Sequence, residues 1–493
     1  MSNTAEALEQ LEKEVARSLR YLGDAPENWV PSREGVDHDV LIVGGGQSGV
    51  TTAFGLRRNG IHNVSVIDSA DENTVGAWQT KARMRVLRTA KKNTGPDLGI
   101  PALSFRAWYE TQHGEAAYEA ITRVATSDWI DYLAWVRKTL RVPVRFGTRL
   151  LRVEAVRASS EGVDFFRLHL EAEGKAFVET ARKIVLATGA VGGGLPFIPQ
   201  LIEQLPANLR AHTDDAIDFA ALAGKRVAVI GAASSAFDAA GVALEAGAAR
   251  VHLFARSADV VRASPGKQVT YPGAANHFFD LPDTERWRLA QHLRGRSPGP
   301  MLETVQRATR FDNFHLHFNA SVRGATLIEG GVELDVDGEL FEFDYVIAGT
   351  GYRIDAALRP ELAAFAEDIA VWADKPVVDA ERDAQSSALR FPYLGAGYEF
   401  TEKVPGRAPL LRNIHCFNYS AITSYGRHVG DVSSLTTGVP RLVSAISRDF
   451  FLEDYDLHLQ RITGSGAFEL TGAEYAHSIW QKEAEKQADG LTV

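Results

Sequence analysis

The chain has 493 residues, 45% hydrophobic and 24% charged, with a formal net charge of −10. Its length predicts two or three globular domains, and its acidity argues against a nucleic-acid binder, which needs a basic face. No apolar run reaches the length of a membrane span, no secretory signal opens the sequence, and the single Cys416 excludes an internal disulfide or a redox dithiol and fits a reducing cytoplasm.

Leu8, Leu11, Val15, Leu19 and Leu22 recur at helical spacing over residues 5–22. The stripe predicts a helix packed on the body. A membrane-surface or partner helix is the alternative, disfavoured by the mixed charges between the leucines. Gly23 to Pro26 break that helix, and residues 24–37 read as a linker.

A strand at 39–43, the turn Gly44-Gly45-Gly46-Gln47-Ser48-Gly49, a helix to about 59 and a strand at 64–68 then form a nucleotide-binding unit. Gly44 allows the tight turn, Gly46 lets the backbone approach a pyrophosphate, and Gly49 permits close helix–strand packing. The phosphates sit on the helix N-terminus around Gln47 and Ser48. Asp68 ends the next strand, where a carboxylate accepts ribose hydroxyls and repels a 2′-phosphate, so this site suits FAD or NAD.

Gly76-Ala77-Trp78 follows, then a basic loop, Arg85 to Pro96, carrying Arg88, Lys91, Lys92 and Asn93. The aromatics between Leu103 and Tyr109 line a pocket or belong to the core. Residues 127–140 read as a helix facing inward with Trp129, Ile130, Leu133 and Val136. Alternation at 150–156 and 165–170 predicts a small antiparallel meander. A short apolar strand at 183–187 ends in Thr188-Gly189, and Gly192 to Gly194 with Pro196 and Pro199 read as a flexible joint.

A second nucleotide unit begins with a strand at 226–230 and the turn Gly231-Ala232-Ala233-Ser234-Ser235-Ala236, followed by a helix at 235–246 and a strand at 250–254. Gly231, Ala233, Ser234 and Ser235 stand where a second pyrophosphate is held. Arg256 replaces the acid of the first unit. A guanidinium pairs bidentately with a 2′-phosphate, which selects NADPH; a solvent-facing arginine is the alternative. Another meander at 325–334 leads to a strand at 344–348 and to Gly349-Thr350-Gly351-Tyr352. Near the C-terminus, Asn413 to Ser420 precede a helix from about Pro440. His415 and His428 are substrate or structural groups, and no metal-ligand spacing appears.

Five motifs in this order (first glycine turn, Gly76-Ala77-Trp78, Ala187-Thr188-Gly189, second glycine turn, Gly349 to Tyr352) resemble the class B flavoprotein monooxygenases. That class includes flavin-containing, N-hydroxylating and Baeyer–Villiger enzymes, and the likeness runs over about residues 38–450. The stretch Pro206 to Ala216 matches the signature of the flavin-containing subgroup only at His212, so the likeness holds for the class.

The resemblance implies an α/β fold with two Rossmann-like dinucleotide-binding domains, for FAD and NADPH, and small antiparallel β-meanders. The expected layout is an extension over 1–37, an FAD-binding part over 38–200, an inserted NADPH-binding domain over 201–343, a returning FAD-binding part over 344–450 and a helical tail over 451–493. It places Gly76 and Trp78 against the flavin and Gly189, Gly351 and Tyr352 beneath the cofactors. The late helix points its positive end at the flavin ring. Arg88, Lys91 and Asn93 become catalytic candidates, two cations and an amide, the cations placed to stabilise a negatively charged reduced or peroxidised flavin; ordinary surface charge is the alternative. The implied reaction oxygenates nitrogen or sulfur in a small molecule with dioxygen, through a flavin C4a-hydroperoxide. A reductase or oxidase acting on a quinone or other acceptor and a flavin-bound redox sensor or scaffold are the rivals. No nucleic acid, metal or integral membrane contact is expected, and a homo-oligomer stays open.

Overall fold

A computed structural model describes residues 2–93, 95–157, 164–263, 265–294, 299–379, 381–464, 466 and 469–480. The N-terminal helix, Ser2–Tyr21, buries Leu11 and Val15 against the body and packs on the helix Phe105–His113, so its stripe is covered from within; Leu22 lies beyond it, exposed. The first sheet begins with β1 (His38–Val43) and β2 (Val64–Ile67), then β3 (Thr148–Val156), β4 (Phe165–Ala172) and β5 (Lys175–Leu186), in the order β2-β1-β5-β4-β3. Val40, Leu41 and Ile42 of β1 are fully buried, as in a strand covered on both faces.

β5 is longer than the apolar run at 183–187 predicts. Its first half pairs antiparallel with β4, from Ala172 opposite Lys175 to Phe166 opposite Ala181. Its second half pairs parallel with β1, from Ala181 to Leu186. Two charges inside the strand obscure it: Arg182 and Lys183 are 1% and 0% exposed. Arg182 donates to Asp454 Oδ2 at 2.8 Å and Glu453 Oε2 at 3.2 Å, and Lys183 Nζ to Glu453 Oε1 at 2.8 Å and Asn413 Oδ1 at 2.7 Å. Arg33 of the linker also donates to Asp454. Burial pushes the neighbouring Asp39 carboxyl up to about 6, against the pull of Arg182. Removing one partner strands a buried charge, so Asp454→Ala is expected to cost about 3–5 kcal/mol, read as a lowered urea midpoint at unchanged slope.

The helix Thr126–Leu140 turns Trp129, Tyr132, Trp135 and Val136 inward, while Ile130 and Leu133 are half-buried. The face is set by aromatic packing: Phe105, Trp108, Tyr109, Trp129 and Tyr132 form one cluster, which makes the 103–109 run core.

The glycine run at 192–194 is a close-packed crossing, in contrast to the flexible joint expected. A Cβ at Gly192 would meet Thr188 Oγ1 at 2.0 Å, at Gly193 the Ser420 hydroxyl at 1.5 Å, and at Gly194 the Arg353 carbonyl at 1.8 Å. Gly194 opens β6 (Gly194–Pro196). β7 (Arg210–His212), β8 (Arg226–Ile230), β9 (Arg250–Phe254) and β10 (Phe314–His317) follow, then the antiparallel meander of β11 (Val322–Ile328), β12 (Gly331–Val336) and β13 (Glu339–Phe343), and β14 (Tyr345–Ala348).

The second sheet is parallel, in the order β10-β9-β8-β14-β7. β14 therefore belongs to the coenzyme unit, which runs past residue 343; its backbone hydrogen bonds are spent between β8 and β7. β15 (Tyr352–Ile354) pairs antiparallel with β6, and β16 (Ile414–His415) returns to β5 in the first sheet.

The late helix, Leu435–Glu453, starts five residues before Pro440, which lies inside it. The missed start signal is Asp431, whose carboxylate accepts the Ser434 N–H at 2.8 Å in the preceding turn. Of the expected tail, Tyr455–Thr463 is helical, and 481–493 lie outside the described residues. Among the described residues no helix is long and apolar enough to cross a membrane.

Candidate cofactor sites

At the first turn Gly44 has φ +112°, and a Cβ there would lie 2.4 Å from the Ala187 carbonyl; at Gly49 it would lie 1.8 Å from the Gly44 carbonyl. Both positions are closed to side chains. Gly46 and Gly76 face each other, each Cβ position meeting only the other's Cα, at 3.7 and 3.8 Å. The two bare carbons form a backbone-walled cradle that a side chain would fill. The helix Gln47–Arg58 has no side-chain cap, so its first N–H groups stay open to an anion. Asp68 accepts from Gly45 N at 2.7 Å and Ala70 N at 2.8 Å, which fixes its carboxylate at the strand end.

Gln47 organises the surrounding wall. Its Oε1 accepts from Trp78 Nε1 at 3.1 Å and Trp129 Nε1 at 3.3 Å, and its Nε2 donates to the Gly430 carbonyl at 2.9 Å. Ser48 Oγ donates to the same carbonyl at 3.1 Å. The approach to the late helix is thereby tied to the first turn, and Gly430 N donates to Ser434 Oγ at 2.9 Å. Thr188 closes the strand side, where Asn418 Nδ2 donates to Thr188 Oγ1 and the Leu186 carbonyl, both at 3.2 Å. Gly189 follows with φ +70°. Trp129, Asn418 and Gly430 were missed by motif reading, because each lies far from the turn in sequence. These residues fit FAD: a positive turn for phosphates, a carboxylate for the ribose and a rigid indole wall.

The second turn repeats the first with different atoms. Gly231 has φ +118° and would meet the Gly349 carbonyl at 2.3 Å if it carried a Cβ. Ala236 stands where the first unit has Gly49, and Gly349 yields the space, since a Cβ there would lie 2.7 Å from that of Ala236. Ala233 precedes the helix Ser234–Glu245 without a side-chain cap, and Ser235 is exposed at its start. Arg256 is exposed just past β9 and forms no ion pair among the described residues. A charge-assisted contact to a 2′-phosphate is worth about 1.5–3 kcal/mol, so Arg256→Ala is expected to raise the NADPH Michaelis constant about ten- to hundredfold and to leave NADH unchanged. Equal losses with both coenzymes would make Arg256 structural.

Two cations of the basic loop have partners outside the first turn. Arg88 donates to Ser234 Oγ, at the start of the second nucleotide helix, and to the Gly299 carbonyl. Lys91 Nζ donates to the Tyr118 and Glu119 carbonyls at 2.8 and 3.2 Å and lies 4.6 Å from the Tyr118 ring. Its ammonium is thereby held on the segment around Tyr118 and Glu119. Asn93 is half-buried, with its N–H on the Ala90 carbonyl at 2.9 Å.

Residues 81–88 instead strap the two nucleotide units together. Lys81 Nζ meets Asp214 Oδ2 at 2.5 Å, Arg83 donates to the Thr213 and Asp215 carbonyls, and Arg85 meets Glu245 at 2.7 Å. Arg307 and Arg310 join Glu245 at 2.6 and 2.7 Å. Burial pushes the Asp238 carboxyl beneath this strap up to about 6, against the nearby Arg307.

Tyr352 donates to Asp214 Oδ1 at 3.1 Å; burial, and then Asp214, hold its phenol well above the ordinary range. Gly351 has φ +81°, and its carbonyl accepts from Phe197 N at 2.8 Å. His212 is buried, with Nδ1 accepting from Asp214 N at 3.0 Å. His415 is fully buried with Nδ1 on the Gly397 carbonyl at 2.8 Å, which makes it structural, and the His428 ring lies 5.2 Å from that of Tyr419.

Two nucleotide turns bridged by one strap define a flavoprotein that draws electrons from a nicotinamide coenzyme. A sequence model described as L-lysine 6-monooxygenase/L-ornithine 5-monooxygenase matches residues 117–354, and an FAD-NAD(P)-binding model matches 41–191. The FAD-dependent urate hydroxylase of Xanthomonas campestris pv. campestris is 40% identical over 479 residues, covering 94% of this chain and 98% of that one. The chain belongs to the flavoprotein monooxygenase family that includes this hydroxylase, and it is an FAD- and NADPH-dependent monooxygenase. Its fold is shared with the ornithine hydroxylase of Pseudomonas aeruginosa and the L-lysine 6-monooxygenase of Pseudomonas syringae, each 18% identical with a TM-score of 0.65, covering 83% of this chain and 99% of theirs.

Proposed function

We propose that the enzyme hydroxylates urate or a heterocycle of the same size and polarity. The supporting observation is the near-complete alignment, at 40% identity, with a urate hydroxylase. Bound FAD would take a hydride from NADPH and activate dioxygen, one oxygen atom entering the substrate and the other leaving as water. The chain's own work is binding and orientation. The open N–H groups at Gln47 and Ser234 hold phosphates, the Gln47–Trp78–Trp129 wall excludes water, and Arg88 ties the coenzyme turn to the strap.

A second reading, oxygenation of an amine nitrogen, is favoured by the match of the lysine and ornithine monooxygenase model over 117–354. NADPH oxidation and oxygen uptake, measured with urate, lysine and ornithine, separate the two. Equimolar consumption stimulated by urate supports hydroxylation of the heterocycle. Stimulation by the amino acids alone gives the second reading, and NADPH loss to a quinone without oxygen uptake defeats both.

A further inference from the structure

A cavity of about 230 Å³ lies behind Gly192 and Gly193. Ile354, Leu362, Ile369, Val371 and Phe400 give it apolar walls, and Cys416 and Ser420 also line it. Thr188, Gly189 and Tyr352 are not among its lining residues. Asn418 divides the two sides: its amide holds Thr188, while its neighbours Cys416 and Ser420 border the cavity.

Three polar groups define what fits. Ser420 is 1% exposed, and its Oγ is buried with no hydrogen-bond partner among the described residues. Buried hydroxyls are normally hydrogen-bonded, and no protein group takes this one, so on the cavity wall it is available to an acceptor atom of a ligand or to water. Arg390 lines the cavity from an exposed position and forms no ion pair among the described residues. Asp355 carries the opposing charge, and one of its oxygens already accepts the Ala357 N–H at 3.1 Å. The Cys416 thiol, pushed up to about 12 by burial, stays neutral.

We propose that this cavity is a second ligand site, separate from the cofactor turns, for a small organic monoanion with a flat apolar body. Its charged group pairs with Arg390, its body packs on the aliphatic walls, and an acceptor atom takes the Ser420 hydroxyl. Asp355 disfavours a dianion, because a second negative charge would face it. The site is independent of which substrate the enzyme oxygenates.

Benzoate is a suitable probe. Equilibrium dialysis of labelled benzoate with the FAD-loaded enzyme is expected to show saturable binding of one molecule per chain. Arg390→Gln, an exposed change, is expected to weaken binding about tenfold or more, while NADPH-driven flavin reduction without benzoate stays at the wild-type rate. Ala366→Phe, which fills the cavity, is expected to abolish it. Absence of saturable binding, or unchanged affinity in Arg390→Gln, would overturn the site. Competition between benzoate and urate would also overturn it, since the cavity would then be the acceptor pocket.

Discussion

Gly46→Val is expected to yield protein that purifies without its flavin. Gly46 has φ −73°, a conformation any residue adopts, and a Cβ there meets only the Gly76 Cα at 3.7 Å. The fold therefore tolerates the side chain, and the damage falls on whatever passes through the cradle. A pyrophosphate displaced from two backbone N–H groups loses about 3–6 kcal/mol, or roughly a hundred- to ten-thousandfold in affinity. Visible flavin absorbance relative to protein absorbance reads the occupancy, and an unchanged unfolding transition of the apoprotein shows that the fold survives. Full flavin occupancy in the variant would move the pyrophosphate away from this turn.

Arg88→Ala is expected to act on coenzyme binding. The resemblance makes Arg88 a candidate cation beside the flavin. The structure places it on Ser234 and the Gly299 carbonyl, at the N-terminus of the helix Ser234–Glu245, where the coenzyme phosphates are expected. Burial lowers the pKa of its guanidinium, with Asp238 opposing; an arginine keeps its charge under such a load. Loss of one charge-assisted contact is expected to raise the NADPH Michaelis constant about ten- to hundredfold, with anaerobic flavin reduction slowed at low NADPH. Peroxide released per NADPH is expected to stay at the wild-type level. A variant with normal NADPH affinity and more peroxide would return Arg88 to the flavin side.

The parts legible in the sequence are those whose cause is local. Gly44, Gly49 and Gly231 are required by contacts under 2.5 Å to a carbonyl oxygen, and such positions announce themselves as glycine after an apolar strand. The alternation of β3, β4 and the second meander is likewise written in neighbouring residues. What escaped depends on distant partners. Arg182 and Lys183 broke the apolar pattern of β5, because Glu453 and Asp454, some 270 positions away, neutralise them. The run at 192–194 looked flexible, because glycine serves equally for mobility and for close approach; only Ser420 and Arg353 decide between them. The Tyr118 and Glu119 carbonyls that hold Lys91 carry no sequence signal. Pro440 suggested a helix start, yet the helix begins at Leu435, after a turn capped by Asp431.

The Gly430 carbonyl that holds Gln47 and Ser48 has a consequence for synthesis on the ribosome. A chain emerges N-terminus first, at about 5–20 residues per second, and domains close as their segments appear. The second sheet lies within one uninterrupted stretch from Arg210 to Ala348 and needs nothing later in the chain. The first nucleotide site has its turn almost at once, receives β5 and Thr188 much later, and gains its last wall only when residue 430 is out. The coenzyme unit thus closes while the flavin site is still open on one side, and flavin capture becomes a terminal event of manufacture. Ribosome-bound chains stalled just after the second sheet has emerged are expected to resist protease over Arg210–Phe254 and Leu302–Ala348 and to retain no FAD.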